Sequence, residues 1–166
     1  SLDDNSLPQL ALRLLILTGL RSHPIRYAHL DEIDGDIWTI PGEKMKGLKG
    51  KTPSFRVPLT SEALEVIELA SKQQRDGYIF PGVKRGVISD ASMARLMERR
   101  GLEARPHGFR STLRTWLTES QQASREVAEM IIAHQTGSVV ERSYNRTDMI
   151  EQRRVVIEEW SRHLLS

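Results

Sequence analysis

One interruption constrains this chain more than any other feature. For most of its 166 residues the apolar side chains recur at helical spacing, but between Ile37 and Leu59 that spacing breaks. Ile37-Trp38-Thr39-Ile40 is β-branched and aromatic and is stopped by Pro41-Gly42, and Phe55-Arg56-Val57-Pro58-Leu59 reads as a return strand. The two runs predict a hairpin whose long tip carries Lys44, Lys46, Lys49 and Lys51. Such a tip serves one of two purposes. It is a solvated loop that protects an edge strand from aggregation, or it delivers one amine to a ligand.

The segments on either side read as helices. Leu7, Leu10, Ala11, Leu14 and Leu15 share a face; Asn5 or Ser6 supplies the cap, Pro8 sits in the first turn, and the helix ends near Thr18-Gly19. Arg21 therefore follows a buried helix across a glycine turn. Ile25 to Ile33 is expected as a short helix leading to the turn Asp34-Gly35-Asp36. Leu59-Thr60 with Leu64 forms a hydrophobic staple around an N-cap threonine, and the helix it opens turns Ala63, Val66, Ile67 and Ala70 inward. Tyr78-Ile79-Phe80 is expected as a third short strand. Ser89 or Asp90 caps a helix bearing Met93, Ala94, Leu96 and Met97 and stopped by Gly101.

Pro106-His107-Gly108 breaks the chain, and helical spacing resumes with Leu113, Trp116 and Leu117. His107 and Arg110 then lie one turn apart at a helix start, where backbone N–H groups already favour an anion. Ser124 caps a helix with Val127, Met130 and Ile131 buried that ends at Ala133-His134. Val139-Val140 opens a short helix that ends at Tyr144-Asn145. Thr147 or Asp148 caps the last helix, with Ile150, Ile157, Trp160 and Leu164 on one face and Gln152, Arg153, Arg154, Glu158, Glu159 and Arg162 on a charged one.

Composition narrows the chemistry. The length suits one domain with a sizeable core, and no apolar run is long enough to span a bilayer. The absence of cysteine excludes disulfides and thiolate metal sites and fits a reducing, cytoplasmic setting. A net charge of +2 with a pI near 9.1 points only weakly to nucleic acid. The abrupt helical start is expected of a fragment of something longer.

Two arginines, two histidines, a lysine and a tyrosine, without an acidic cluster, suit phosphodiester chemistry that needs no metal or other cofactor. A magnesium nuclease would bring carboxylates, zinc would need a ligand beyond His107 and His134, and neither a G-x-S-x-G elbow nor a phosphate-binding loop is present. A phenol of reference pKa near 10 is ionised at pH 7 only about once in a thousand, a deficit of roughly 4 kcal/mol. Arg21 and Arg110 can offset part of that by binding the phosphate and its transition state. His107 can accept the proton of Tyr144, and Lys46 can protonate the leaving 5′-oxygen. The covalent phosphotyrosine so formed keeps the bond energy for religation.

The ordered boxes carry a resemblance. Leu17-Thr18-Gly19-Leu20-Arg21, Trp38-Thr39-Ile40-Pro41 leading to Met45-Lys46, His107-Gly108-Phe109-Arg110, Ala133-His134 and Arg142-Ser143-Tyr144-Asn145-Arg146 are similar to those of the tyrosine recombinase (phage integrase) family. The similarity runs from about Leu7 to Leu165, closest to the integrases of proteobacterial prophages and genomic islands. It implies an α+β, mostly α catalytic domain over residues 1–166 with a small antiparallel β-sheet. It also implies catalytic roles for Arg21, Lys46, His107, Arg110, His134 and Tyr144, with His134 donating to a non-bridging phosphate oxygen.

The partners implied are double-stranded DNA attachment sites, N-terminal DNA-binding domains outside this fragment, accessory DNA-bending proteins, and three further copies in a homo-tetramer that works through a Holliday junction. Off DNA the fragment is expected to be a monomer, with its last helix folded back on its own domain; on DNA that helix is expected to dock on a neighbour. Two departures stand out. Pro24 occupies the position, three after the first arginine, where the family carries an acid. Lys44, Lys49 and Lys51 compete with Lys46 for the hairpin role. Two other readings therefore stay open: a prophage remnant that binds DNA without cutting, and relaxation of DNA in the manner of a type IB topoisomerase.

Overall fold

Helix α1 (Leu7–Thr18) is the axis on which the domain is assembled, and eight of its twelve residues are buried. A free helix of this length is marginal in water. It persists here because Leu10, Leu12, Leu14, Leu15 and Leu17 are all enclosed, at about 1.5–3 kcal/mol for each leucine. Pro8 starts the helix, and Gly19, at φ 66°, closes it by donating its N–H to the Leu15 carbonyl at 2.8 Å. The computed structural model describes residues 5–47, 50–120, 122–132 and 147–166.

Around α1 lie helices α2 (Ser22–Arg26), α3 (Ser61–Ser71), α4 (Ser92–Arg99), α5 (Pro106–Glu119), α6 (Arg125–Ile131) and α7 (Ile150–Leu165). A three-stranded antiparallel sheet of β1 (Ile33–Asp34), β2 (Ile37–Ile40) and β3 (Phe55–Pro58), in the order β1-β2-β3, completes the fold. This is the expected mostly helical α+β architecture with a small antiparallel sheet. The register pairs Trp38 with Val57 and Ile40 with Phe55. Trp38 and Ile40 point into the core while Thr39 faces out, the alternation of a half-buried strand.

Two apolar clusters form the interior. One joins α1 to the sheet, α2, α3 and α4; the other joins α5, α6 and α7 through Leu113, Leu117, Val127, Ile131, Val156, Ile157 and Trp160. The Trp160 indole N–H donates to the Ile16 carbonyl at 2.9 Å, which ties α7 to α1. Thr60 caps α3 through Ala63 N, and Ser124 caps α6 through Val127 N, both as their sequence positions imply.

Several local expectations are corrected. Ile25 to Ile33 is not one helix: α2 ends at Arg26, a 3-10 turn covers Leu30–Glu32, and Ile33 enters β1. The third strand is thus β1, whereas Tyr78 makes isolated bridges to His29 and Arg75, outside the sheet, and Ile79 and Phe80 are fully buried. Ala91, not Ser89 or Asp90, is the N-cap of α4; Asp90 accepts instead from Ser22 and Arg26. Met149 takes the N-cap position of α7, while the Asp148 carboxylate accepts from Arg56 as well as from the Ile150 N–H.

The buried face of α7 also differs from the expected stripe. Arg153, Val156, Ile157, Trp160 and Ser161 point inward, while Leu164 is exposed. Arg153 was expected on the charged face but is 1% exposed, because its guanidinium donates to the Arg56 carbonyl at 2.8 and 2.7 Å and to the Asp148 carbonyl at 2.9 Å. Its plane lies 5.0 Å from the Phe55 ring centre. In this chain α7 packs in cis.

Candidate active site

Arg21, Lys46 and Arg110, three of the six residues singled out by sequence, line one cleft of about 230 Å³. They arrive there from separate parts of the chain. Gly19 turns the backbone so that Arg21 leads into α2, the 3-10 turn Gly42–Lys44 carries the chain to Lys46, and α5 presents Arg110 from its first turns. Leu20, His23, Pro24, Glu43, Lys44 and Met45 complete the lining.

Arg110 is the most buried of the three cations, at 8% exposure. Its guanidinium donates to the Gly19 carbonyl at 2.9 Å and to the Ile132 carbonyl. Those bonds join α1, α5 and the end of α6 at one charge and fix its plane, leaving the other N–H groups for a ligand. Burial, followed by the neighbouring Arg21 and Arg114 charges, lowers its pKa to about 10. At neutral pH the group remains cationic, so the cleft holds a desolvated positive charge that an anion would relieve.

The hairpin lysines divide into two kinds. Lys44 is a structural residue: its ammonium donates to the Tyr27 carbonyl at 2.7 Å and to Glu32 Oε1, and both side chains of that ion pair are largely buried. Glu32 Oε2 in turn accepts from the Trp38 indole at 3.0 Å and from His29 N at 3.3 Å. Lys46, two residues further, is exposed, faces the cleft, and makes no hydrogen bond or ion pair among the described residues. Lys51 is exposed outside the cleft lining, and Lys49 lies outside the described residues.

His107 sits in the first turn of α5 and is exposed; it is one turn from Arg110 but does not line the cleft. His134 and Tyr144, with the helix expected from Val139, lie outside the described residues. Pro24 is buried and brings no charge to the cleft, so the carboxylate among its lining residues is Glu43. No three His, Asp or Glu side chains are grouped as metal ligands among the described residues.

His23 and Glu43 are the lining residues that sequence reasoning did not reach. The His23 ring lies 4.6 Å from that of Tyr27, and its pKa is lowered by burial and then by Arg26 and Lys44, with Asp90 opposing. Its imidazole shares the lining with Arg21, Lys44, Lys46 and Arg110. The only signal for His23 was its position two residues after Arg21.

The family model described as "Phage integrase family" matches residues 4–151. The chain is 32% identical over 162 residues to prophage integrase IntZ of Escherichia coli strain K12, covering 92% of this chain and 38% of that protein. It therefore spans about two fifths of that relative's length. Among solved structures, the integrase from mycobacterium phage Brujita superimposes with a TM-score of 0.68 at 24% identity, over 92% of this chain and 50% of that one. The Tn1549 transposon integrase in complex with circular intermediate DNA gives 0.62 at 16% identity, over 91% and 59%. These two share the fold. With ordered boxes, architecture and cleft in agreement with the family match, the chain belongs to the phage integrase family.

Proposed function

We propose that this chain is the catalytic domain of a site-specific DNA recombinase, one part of a longer protein that cuts and rejoins double-stranded DNA to integrate or excise a mobile element. The observation that carries the reading is the convergence of Arg21, Lys46 and Arg110 on one cleft. Three cations from three elements, one of them buried and oriented by two carbonyls, are suited to a phosphodiester, and Lys46 makes no hydrogen bond or ion pair among the described residues that would give it a structural use instead. The Tn1549 integrase, solved on circular intermediate DNA, supports DNA as the partner.

The reaction follows from the groups available. The Tyr144 oxygen attacks phosphorus and the bond to the 5′-oxygen breaks, which leaves a 3′-phosphotyrosine and a free 5′-hydroxyl. His107 accepts the phenolic proton, Lys46 supplies the proton to the leaving oxygen, and Arg21, Arg110 and His134 hold the non-bridging oxygens as charge develops. Attack by a 5′-hydroxyl reverses each step and reseals the strand. Assembly into a tetramer on DNA, exchange of α7 between copies, accessory DNA-bending proteins and a cytoplasmic location belong to the same proposal. For location, the supporting fact is that no helix among the described residues is long and apolar enough to cross a membrane.

The test is covalent capture. The protein is mixed with nicked duplex DNA and run under denaturing conditions beside Tyr144→Phe. The parent should give a protein–DNA adduct and the variant none, with DNA binding retained in both. An adduct from the variant would remove Tyr144 from the mechanism. Binding without any adduct from the parent would favour the non-cutting reading that Pro24 suggests.

A further inference from the structure

Away from the cleft, residues 81–87 form a narrow turn whose construction exceeds what a connection requires. Pro81 and Val87 pair as an isolated antiparallel bridge, Gly82 N donates to the Gly86 carbonyl at 2.9 Å, and Ile88 N to the Phe80 carbonyl at 3.0 Å. Phe80 and Ile88 anchor both feet in the core. Arg75 donates to the Gly82 carbonyl at 2.6 Å. A Cβ on Gly82 would fall 2.6 Å from the Arg85 carbonyl oxygen, and Gly86 holds φ at 63°, so both glycines are needed for this shape.

What the turn presents is three adjacent side chains. Val83 is wholly exposed, and Lys84 and Arg85 are exposed with no hydrogen bond or ion pair among the described residues. A lone exposed valine says little. Here it sits between glycine turns on a rigid mount and beside two unpaired cations, so a partner would meet a preformed surface with little ordering cost.

The mount stands next to the cleft. Arg26 donates to the Ile88 carbonyl at 2.9 Å and pairs with Asp90 at 3.5 Å, and Ser22, which follows Arg21, donates to Asp90 at 3.3 Å. Six residues separate Asp90 from Lys84, a reach of at most about 21 Å. Along a duplex that is about six base pairs. A duplex held in the cleft and running along α2 toward Asp90 would come within range of the turn.

We propose that Val83, Lys84 and Arg85 form a second contact with double-stranded DNA, in which the two cations each neutralise a backbone phosphate and Val83 lies against the sugar edge of a groove. This rests on the reading of the cleft as a phosphodiester site, and it is tested by binding rather than by cleavage. The chain has no cysteine, so Val83→Cys places a unique thiol at the tip. Its alkylation by a maleimide is followed with and without a nicked duplex of mixed sequence, with binding monitored by anisotropy. Bound DNA should slow alkylation by about tenfold or more. The double variant Lys84→Ala/Arg85→Ala should lower the slope of log K against log salt by about 1.8, the value for two phosphate contacts, and Lys72→Ala at the C-cap of α3 should leave it unchanged. A thiol that reacts equally fast in the bound state, or an unchanged slope in the double variant, overturns the contact. If the parent still forms the Tyr144 adduct in either case, the functional reading stands and the turn alone fails; a parent that binds no duplex sinks both.

Discussion

Gly19→Ala tests how the first box builds the cleft. Gly19 closes α1 at φ 66°, and a Cβ there would fall 2.3 Å from Leu113 Cδ2. Holding alanine in the left-handed region costs roughly 1–2 kcal/mol. Leu113 is fully buried, so moving it adds an overpacking cost of about 1–3 kcal/mol. The two contributions give roughly 2–5 kcal/mol, and at about 2–4 °C per kcal/mol for a domain of this size the loss is easily seen in thermal unfolding. The backbone and packing parts separate in a double-mutant cycle with Leu113→Ala, itself expected to cost about 2–5 kcal/mol. With Leu113 truncated the added methyl meets no obstacle, so the double variant should lose less than the sum by about 1–3 kcal/mol. Additivity within about 0.5 kcal/mol would refute the contact, and with it the account of why glycine stands before Arg21. Since the Gly19 carbonyl also accepts from Arg110, the single variant should form adduct more slowly than its residual fold accounts for.

Lys44→Ala breaks a largely buried ion pair and strands Glu32, so denaturant unfolding should show a loss of about 3 kcal/mol or more; Lys46→Ala should stay within about 0.5 kcal/mol of the parent. The reverse order would exchange their roles. On activity, Lys46→Ala should slow cleavage of an ordinary substrate far more than one with sulfur at the leaving 5′ position, because a thiolate departs without a proton; equal losses would show that Lys46 is not the acid. The hydrogen bonds from Arg56 hold the Asp148 carboxyl below its ordinary pKa, with burial opposing. Its contribution to stability is therefore complete above about pH 4 and is lost as pH falls through the lowered folded value, so parent and Asp148→Asn should differ at pH 7 and converge progressively as the pH is taken below that range. A gap that persists in acid would assign the difference to something other than the carboxylate.

Much of this domain was legible in the residues because its signals are local. Ser6-Leu7-Pro8 to Gly19, Thr60 with Leu64, and Ser124 each state a helix boundary in a few positions, and the structure keeps them. The readings that failed depended on distant partners. Asp148 looks like the N-cap, but Met149 takes that position and the Asp148 carboxylate also pairs with Arg56, 92 residues away. Asp90 accepts likewise from Arg26 and Ser22. A two-residue strand such as β1 has too little sequence to show a period, so Ile33 passed for the end of a helix. Arg21, Lys46 and Arg110 were legible from their boxes and meet in the cleft, whereas His107 stays outside its lining, and the division of labour between Lys44 and Lys46 was left open by the residues alone. That depends on Glu32, a residue with no distinguishing sequence context.

The clamp of Arg153 on Arg56 has a consequence for the living chain as it is made. β3 is an edge strand, and the carbonyl that receives both Arg153 N–H groups belongs to a residue 97 positions earlier. Translation at about 5–20 residues per second leaves that carbonyl without its partner for roughly 5–20 s. Through that interval Phe55 lacks its cationic cover and the sheet edge is open to any extended segment nearby. Lys46 and Lys51, exposed beyond the end of β2, put charge beside that open edge, and charge disfavours pairing with another extended segment.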